Sequence, residues 1–190
     1  MKNRGLLYLI FPFLFLSCAE YTPRPAGFQR FDRAHYDYLK FENPALSFLY
    51  PADAKIEEVK NEANPGYWFN ILYPQYNATL YCTYIPIKKE DLSKALDDSY
   101  QLAYSHTSRA EGIFQSQYTD SLNHKEGVIY DIKGLVAVPV QFYITDNTSN
   151  FLRGGSLYFD QNVKIDSVAP IVEYIRSDIV YLMESLKWKN

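Results

Sequence analysis

The segment VAPIVEYIRSDIVYLMESL, residues 168–186, combines helical periodicity with one apolar stripe. Its apolar side chains recur at offsets of 0, 3, 4, 7, 11, 14 and 18, which is the spacing of a helix that buries one face. Asp166 or Ser167 is positioned to cap its start, and Pro170 is tolerated in the first turn. The pattern therefore predicts a helix laid on a sheet. The stripe consists of Val168, Ile171, Val172, Ile175, Ile179, Leu182 and Leu186.

Alternating, aromatic-rich runs upstream of this helix predict strands. Prolines and turn residues end most of these runs, and a second amphipathic helix is predicted for residues 90–109. Strands and helices grouped in this way predict an α+β fold, in which helices flank a mainly antiparallel sheet. The predicted strands are residues 45–51, 55–59, 67–73 and 78–85 before that helix, and 113–118, 124–132, 135–145 and 151–159 after it.

The last two predicted strands flank a loop of turn-forming residues, 146–150, and this predicts a hairpin. Gly154 and Gly155 inside the second strand predict a bulge or a close backbone approach. We expect Arg153 to form a salt bridge with Asp146 at the hairpin base. The alternative is that Gln141, Asp146 and Arg153 rim a surface for a partner or ligand.

The first eighteen residues predict a lipoprotein signal. Lys2 and Arg4 precede an apolar run, residues 6–16, which Ser17 and Cys18 follow. A basic start, a short apolar run and a small residue are typical of a secretory signal, and a cysteine placed directly after them is typical of a bacterial lipoprotein. The run is shorter than the about 20 residues of a membrane-spanning helix. We expect cleavage before Cys18 and acylation of its thiol, for example by palmitate; the alternative is an ordinary signal peptide.

The predicted organisation has three parts: a signal peptide over residues 1–17, a lipidated, proline-containing tether over residues 18–40, and a single domain over residues 41–190. Removal of the signal lowers the basic count from 19 to 17 against 22 acids, so the net charge moves from −3 to −5. No stretch is rich in lysine and arginine, and a phosphate backbone would meet little attraction. The composition therefore argues against a nucleic-acid partner.

The sequence carries no recognisable catalytic or metal-binding motif. Its three histidines, at positions 35, 106 and 124, lack the spacing of a zinc site, and no nucleophile elbow, phosphate loop or dinucleotide fingerprint occurs. Cys82 lies in an alternating run without a neighbour that would activate a thiolate, so we expect a core residue. We expect no catalytic residue, no cofactor and no metal.

Tyrosine is abundant, with 18 residues among 190. Strand propensity and packing are one explanation, and a partner surface is another, because tyrosine is enriched at interfaces. Trp68, Tyr73 and Tyr143 are the candidate anchors on such a surface. For Trp68 and Tyr143 a place in the core is the favoured interpretation.

Several segments together resemble one known family. The chain is similar to the gliding-motility lipoproteins of the GldD family of Bacteroidetes over nearly its whole mature length, and the order of its elements resembles the Mog1/PsbP-type sandwich. The segments that carry the family resemblance are PRPAGFQR (23–30), ALSFLYP (45–51), GYWFNILYP (66–74), QFYITD (141–146), FLRGGSLYF (151–159), IRSDI (175–179) and ESLKWK (184–189).

The resemblance implies a lipoprotein of the gliding apparatus and of the linked type IX protein-secretion system, without an established reaction. We therefore expect a non-catalytic accessory or assembly component. Its lipid would hold it in the cell envelope, on the outer membrane facing the periplasm, where other gliding and secretion proteins are its partners. The alternatives are a periplasmic module that binds a small ligand or lipid, and an envelope hydrolase.

Two Asp-Ser-apolar tripeptides also resemble the O-glycosylation pattern of Bacteroidetes. Their serines, Ser121 and Ser167, are candidate glycan acceptors.

Overall fold

Two antiparallel sheets and two helices make up the described part of the chain. The structure is a computed structural model that describes residues 37–59, 66–105, 108–134, 136–159 and 165–189. The predicted signal peptide, the lipidation site at Cys18 and most of the predicted tether lie outside these residues. The described elements are β1 (Tyr38–Glu42), β2 (Leu46–Pro51), β3 (Lys55–Val59), β4 (Tyr67–Tyr73), β5 (Ala78–Pro86), α1 (Leu92–Tyr104), β6 (Ala110–Asp120), β7 (Lys125–Gly134), β8 (Val140–Thr145), β9 (Asn150–Phe159), α2 (Ile165–Ser185) and β10 (Lys187–Trp188).

The larger sheet has seven strands in the order β3-β4-β5-β9-β8-β7-β6, and every neighbouring pair is antiparallel. The smaller sheet has the order β1-β2-β10. The predicted hairpin is confirmed, because β8 and β9 pair directly across the 146–150 loop. The α+β class with a mainly antiparallel sheet is likewise confirmed.

Helix α2 packs on one face of the seven-stranded sheet, which we call the inner face. Alternate residues of the central strands, such as Phe69, Leu80 and Ile144, belong to the same buried cluster as Ile175 and Ile179 of α2. The predicted stripe of α2 is confirmed as its buried side, with Val172 partly buried at the margin. The apolar stripe of α2, with its helical period, thus packs against the alternate inner residues of the strands in one core.

The smaller sheet lies beside α2 against the same core. The ring of Phe69 lies 5.2 Å from that of Phe41 and 5.4 Å from that of Phe48, measured between centroids. The Ser185 hydroxyl at the end of α2 accepts a hydrogen bond of 2.9 Å from the Leu49 amide of β2. These contacts join both sheets and α2 in one hydrophobic core.

Several boundaries differ from the sequence prediction, among them the starts of β6 and β8, which were predicted at 113 and 135. Strand β1 begins at Tyr38, and the carbonyl of Asp37 accepts a bond from the Ala52 amide, so the fold includes the end of the predicted 18–40 tether. Helix α1 is shorter than the predicted 90–109, because a 3-10 turn, Lys89–Asp91, precedes it. Helix α2 includes positions 166 and 167, which were expected to lie ahead of its first turn.

The predicted glycine irregularity is confirmed in β9. The register between β5 and β9 shifts at Gly155, which leaves that residue as an extra one opposite β5. At Gly154, an added Cβ would lie 2.0 Å from the ring of Phe142. The ring of Phe142 therefore covers the space that a side chain at position 154 would need.

Candidate functional site

The outer face of the seven-stranded sheet, opposite α2, is only partly covered in the described structure. Helix α1 packs over β7, where Ala103 forms a small buried cluster with Val128 and Tyr130. Beyond this cluster, most outer side chains of β4, β5 and β9 are half-buried or exposed, whereas Thr79 and Phe151 are buried. We call this region the open face and define it by Trp68, Tyr81, Thr83, Tyr143, Arg153 and Tyr158.

Three of the six residues predicted to form a partner surface meet in one row of the open face. Trp68 pairs with Thr83, Thr83 with Arg153, and Arg153 with Tyr143. Directly paired residues in an antiparallel sheet project from the same face with neighbouring side chains. The row therefore runs Trp68, Thr83, Arg153, Tyr143, with the cation next to Tyr143 and separated from Trp68 by Thr83, and all four are half-buried.

Two exposed tyrosines extend this row. Tyr81 is 45% exposed and Tyr158 is 39% exposed. Their rings meet edge to face, with centroids 5.7 Å apart. Arginine and aromatic side chains are the types enriched at protein interfaces, so the open face has the composition of a contact surface.

The predicted salt bridge between Arg153 and Asp146 does not form. Arg153 lies in the middle of β9 opposite Tyr143, several residues from the loop that holds Asp146. Among the described residues no carboxylate pairs with its guanidinium. Arg153 therefore contributes a cation to the open face.

Asp146 instead organises the loop of the hairpin. Its carboxylate accepts hydrogen bonds from the amides of Thr148, Ser149 and Asn150, at 2.8–2.9 Å, and from the Asn150 side chain at 2.7 Å. Partial burial acts to raise the pKa of Asp146, but these bonds outweigh it and hold the pKa well below its usual value. Tyr84 donates a further bond of 2.7 Å to the Asn150 side chain.

Two of the candidate surface residues are buried. Gln141 on β8 and Tyr73 on β4 are both almost inaccessible to solvent, and Tyr73 belongs to the main core. Burial is the main cause that raises the pKa of Tyr73. Neither side chain is therefore part of the open face.

Cys82 and the two candidate glycosylation sites occupy different environments. Cys82 is buried in the core, as expected, and burial raises the pKa of its thiol well above the usual value. Ser121 is exposed in the turn between β6 and β7. Ser167 lies in the first part of α2, and its side chain is outside the described structure. Glycosylation of either serine stays a prediction.

Sequence reasoning missed the role of Lys125. Its side chain is only 1% exposed, and its Nζ donates to the carbonyls of Met183, Glu184 and Leu186 at 2.9–3.2 Å. The carboxylate of Asp120 lies 3.3 Å away. A cation here satisfies carbonyls at the C-terminal end of α2. Strand alternation places position 125 on the inner face, which is the signal that could have indicated a buried lysine.

A surface cavity of about 400 Å³ lies between α2 and the β6–β7 edge. Its polar groups already bind one another, because Arg176 donates to Asp131 at 2.8 Å and to Ser116 at 3.2 Å. The hydrogen bond to Asp131 raises the pKa of Arg176. A small ligand that bound in this cavity would have to compete with Asp131 and Ser116 for the hydrogen bonds of Arg176.

The described residues contain no group of three or more histidine, cysteine, aspartate or glutamate side chains that could hold a metal ion. Within the same part of the chain, no helix is both long and apolar enough to cross a membrane.

Comparison with known families gives a match over almost the entire chain. The sequence profile of the gliding motility lipoprotein GldD matches residues 18–188. A comparison with individual curated proteins gives no match. The matched range begins at the predicted lipidation site and ends at the last strand, so it includes the predicted tether and every described element. The chain therefore belongs to the GldD family of gliding motility lipoproteins, whose members are anchored by lipid in the cell envelope.

Proposed function

We propose that this protein is a non-catalytic accessory component of the gliding and type IX secretion machinery. A lipid on Cys18 would hold it on the outer membrane, facing the periplasm. The open face would then bind another envelope protein of the machinery. The family match supports the link to gliding, and the architecture of the outer face supports a role in binding.

The observation that carries this proposal is the row from Trp68 to Tyr143, in which Arg153 lies between Thr83 and Tyr143. Trp, Tyr and Arg are the residue types enriched among the anchors of protein interfaces, and this row contains one of each. Arg153 has no carboxylate partner within the described structure, so a partner's carboxylate or carbonyl groups would satisfy it. Tyr81 and Tyr158 would add apolar contact beside it.

Membrane attachment makes a moderate interface sufficient. A lipid-anchored protein shares a surface with its partners, and this raises their effective concentration without any additional contact. The six residues of the open face need not form a large interface for the complex to persist.

The test replaces the exposed tyrosines and the cation in the native strain. A deletion strain would be complemented with the intact chain, with Tyr81→Ser/Tyr158→Ser, or with Arg153→Ala. We expect each change to weaken partner binding by about tenfold or more, which is the loss typical of interface anchors. Colony spreading and the release of secreted proteins should both fall, while the amount of protein in the envelope stays normal.

Tyr100→Ser is the matched control, because Tyr100 is 41% exposed but lies on α1 rather than on the open face. Photo-crosslinking from position 81 should capture an envelope protein that position 100 does not. Normal spreading and secretion in the Tyr81→Ser/Tyr158→Ser strain would refute the open face as the functional surface. Loss of spreading with normal secretion would separate the protein from the type IX system.

A further inference from the structure

Strand β6 leaves one edge of the seven-stranded sheet without a partner among the described residues. It is 11 residues long, and β7 is its neighbour on one side only. The backbone groups of an unpaired edge strand form a template for another strand. The length of β6 makes this template longer than most strands in globular proteins.

The hydrogen bonds of β7 show which β6 groups point outward. The Ile132 amide donates to the carbonyl of Pro139. The N–H and C=O groups of Ile132 therefore point toward the β8 side of β7 and away from β6. In an antiparallel pair, two residues that lie opposite each other point their N–H and C=O groups either toward each other or away from each other, and the two cases alternate along the strands. The β6 residues opposite Ile132 and every second residue from it therefore point these groups away from β7. These residues are Ile113, Gln115, Gln117 and Thr119.

The two edges of this sheet differ in their side chains. The edge strand β3 is only five residues long and carries Lys55, Glu57 and Glu58. Charges and shortness are the usual means by which proteins keep edge strands from pairing. Residues 112–119 of β6 contain neither a charge nor a proline, and Phe114 within them is 60% exposed. The β6 edge thus lacks the protection that β3 has.

We propose that β6 pairs antiparallel with β6 of a second copy of this chain, about a two-fold axis at Ser116. In this register Phe114 lies opposite the partner's Tyr118, and Gln115 lies opposite the partner's Gln117. Ile113 and Thr119 pair in the same way, so all outward backbone groups are used in about eight hydrogen bonds. The two seven-stranded sheets become one continuous sheet.

The charges at the ends of β6 favour this self-pairing. Glu111 lies opposite the partner's Ser121, and Asp120 lies opposite the partner's Gly112, so no acid faces an acid. Like charges directly opposite each other destabilise paired strands, whereas aromatic pairs such as Phe114 with Tyr118 stabilise them. The proposal uses no residue of the open face and is independent of the proposed function.

Paired charges at positions 115 and 117 provide a register-specific test. In Gln115→Lys/Gln117→Lys, lysine faces lysine across the axis, and we expect the dimer to dissociate. In Gln115→Glu/Gln117→Lys, each glutamate faces a lysine, and the dimer should persist. Sedimentation velocity of the full chain in detergent gives the mass of each variant, and circular dichroism confirms that both variants fold equally well.

A disulfide crosslink tests the position of the axis in intact cells. Position 116 lies opposite itself in a non-hydrogen-bonded pair, at a Cα separation of about 4.5 Å that a disulfide accepts. Ser116→Cys should therefore give a covalent dimer on mild oxidation. Gln117→Cys should give much less, since it faces the partner's position 115.

The results distinguish a second copy from other occupants of the edge. A monomeric intact chain, or a dimer that the two-lysine variant leaves unchanged, would overturn the proposal. Equal crosslinking at positions 116 and 117 would overturn the register. A crosslink from Ser116→Cys to a different protein would assign the edge to a foreign strand instead.

Discussion

Lys125 is the most deeply buried charged side chain of the described residues. Its ammonium group lies in the core and replaces water for three carbonyls that end α2. The ring of Tyr118 lies 5.9 Å from the same nitrogen. The carboxylate of Asp120 completes the site from the opposite end of the β6–β7 turn. Removal of the cation would leave buried acceptors without donors.

We expect Lys125→Met to lower the free energy of unfolding by about 3 kcal/mol, because backbone carbonyls that are buried or partly buried would lose their donor. The apolar stem of the side chain is retained, so this change isolates the ammonium group. Urea unfolding followed by circular dichroism measures the loss. Lys133→Met, at an exposed position of the same strand, should change stability by less than about 0.5 kcal/mol. Equal effects of the two variants would show that the buried contacts contribute little.

The residues that sequence reasoning misplaced share a nonlocal cause. Alternation could place Lys125 on the inner face, but its acceptors lie about 60 positions later in the chain. Tyr73 and Gln141 were predicted at a surface because both are polar or amphipathic residues in strands. Their burial depends on which strands and helices cover them, and a local pattern does not contain that information.

At the scale of the element, β9 depends on two glycines for different reasons. Gly155 is the extra residue of the bulge, and Gly154 gives space to the ring of Phe142 from β8. A glycine paired with an aromatic ring across strands gains the packing that it lacks by itself. The two glycines of FLRGGSLYF therefore allow the bulge in β9 and the close packing of the Phe142 ring against its backbone.

We expect Gly154→Ala to destabilise the fold by about 2–3 kcal/mol, since its Cβ would overlap a buried ring that cannot move freely. Gly112→Ala is the matched control. There the Cβ would lie 3.0 Å from the ring of Phe114, which is exposed and can rotate away. Thermal unfolding of both variants checks the difference. A Gly154→Ala protein as stable as the Gly112→Ala protein would contradict the close approach.

Most elements could be predicted from their own residues, because strand and helix periods are local properties. Strands β3 and β4 have the predicted bounds, and β5 differs by one residue. Strand β1 was missed because the proline-containing segment before it suggested a longer tether. β1 forms because it pairs with β2, and its own residue pattern does not indicate that pairing.

At the scale of the whole molecule, the order of strands lies beyond such reasoning. Strand β9 pairs with β5 as well as with β8, and this links the two halves of the chain that α1 separates. That pairing also brings Trp68 and Arg153 into one row, although 85 positions separate them in the sequence. The open face is thus a product of topology, which explains why its members could be proposed individually but not assembled.

In the described part of the chain, the smaller sheet and the larger sheet are joined by aromatic packing rather than by backbone pairing. Phe48 of β2 contacts Phe69 of β4, and α2 packs against both β2 and β8. If this shared core governs stability, the two sheets unfold together. Each sheet carries its own natural probe, since Trp188 lies in β10 and Trp68 lies in β4.

Fluorescence from Trp68 can be recorded in a Trp188→Phe chain, and fluorescence from Trp188 in a Trp68→Phe chain. We expect both signals to follow the same urea transition, once each is corrected for the stability change that its own substitution causes. Phe48→Ala should shift both transitions together, by about 3–5 kcal/mol, because it empties the contact between the sheets. Leu39→Ala, at an exposed position of β1, should shift neither appreciably. A Trp188 transition that moves with Phe48→Ala while the Trp68 transition stays in place would show that the small sheet unfolds independently.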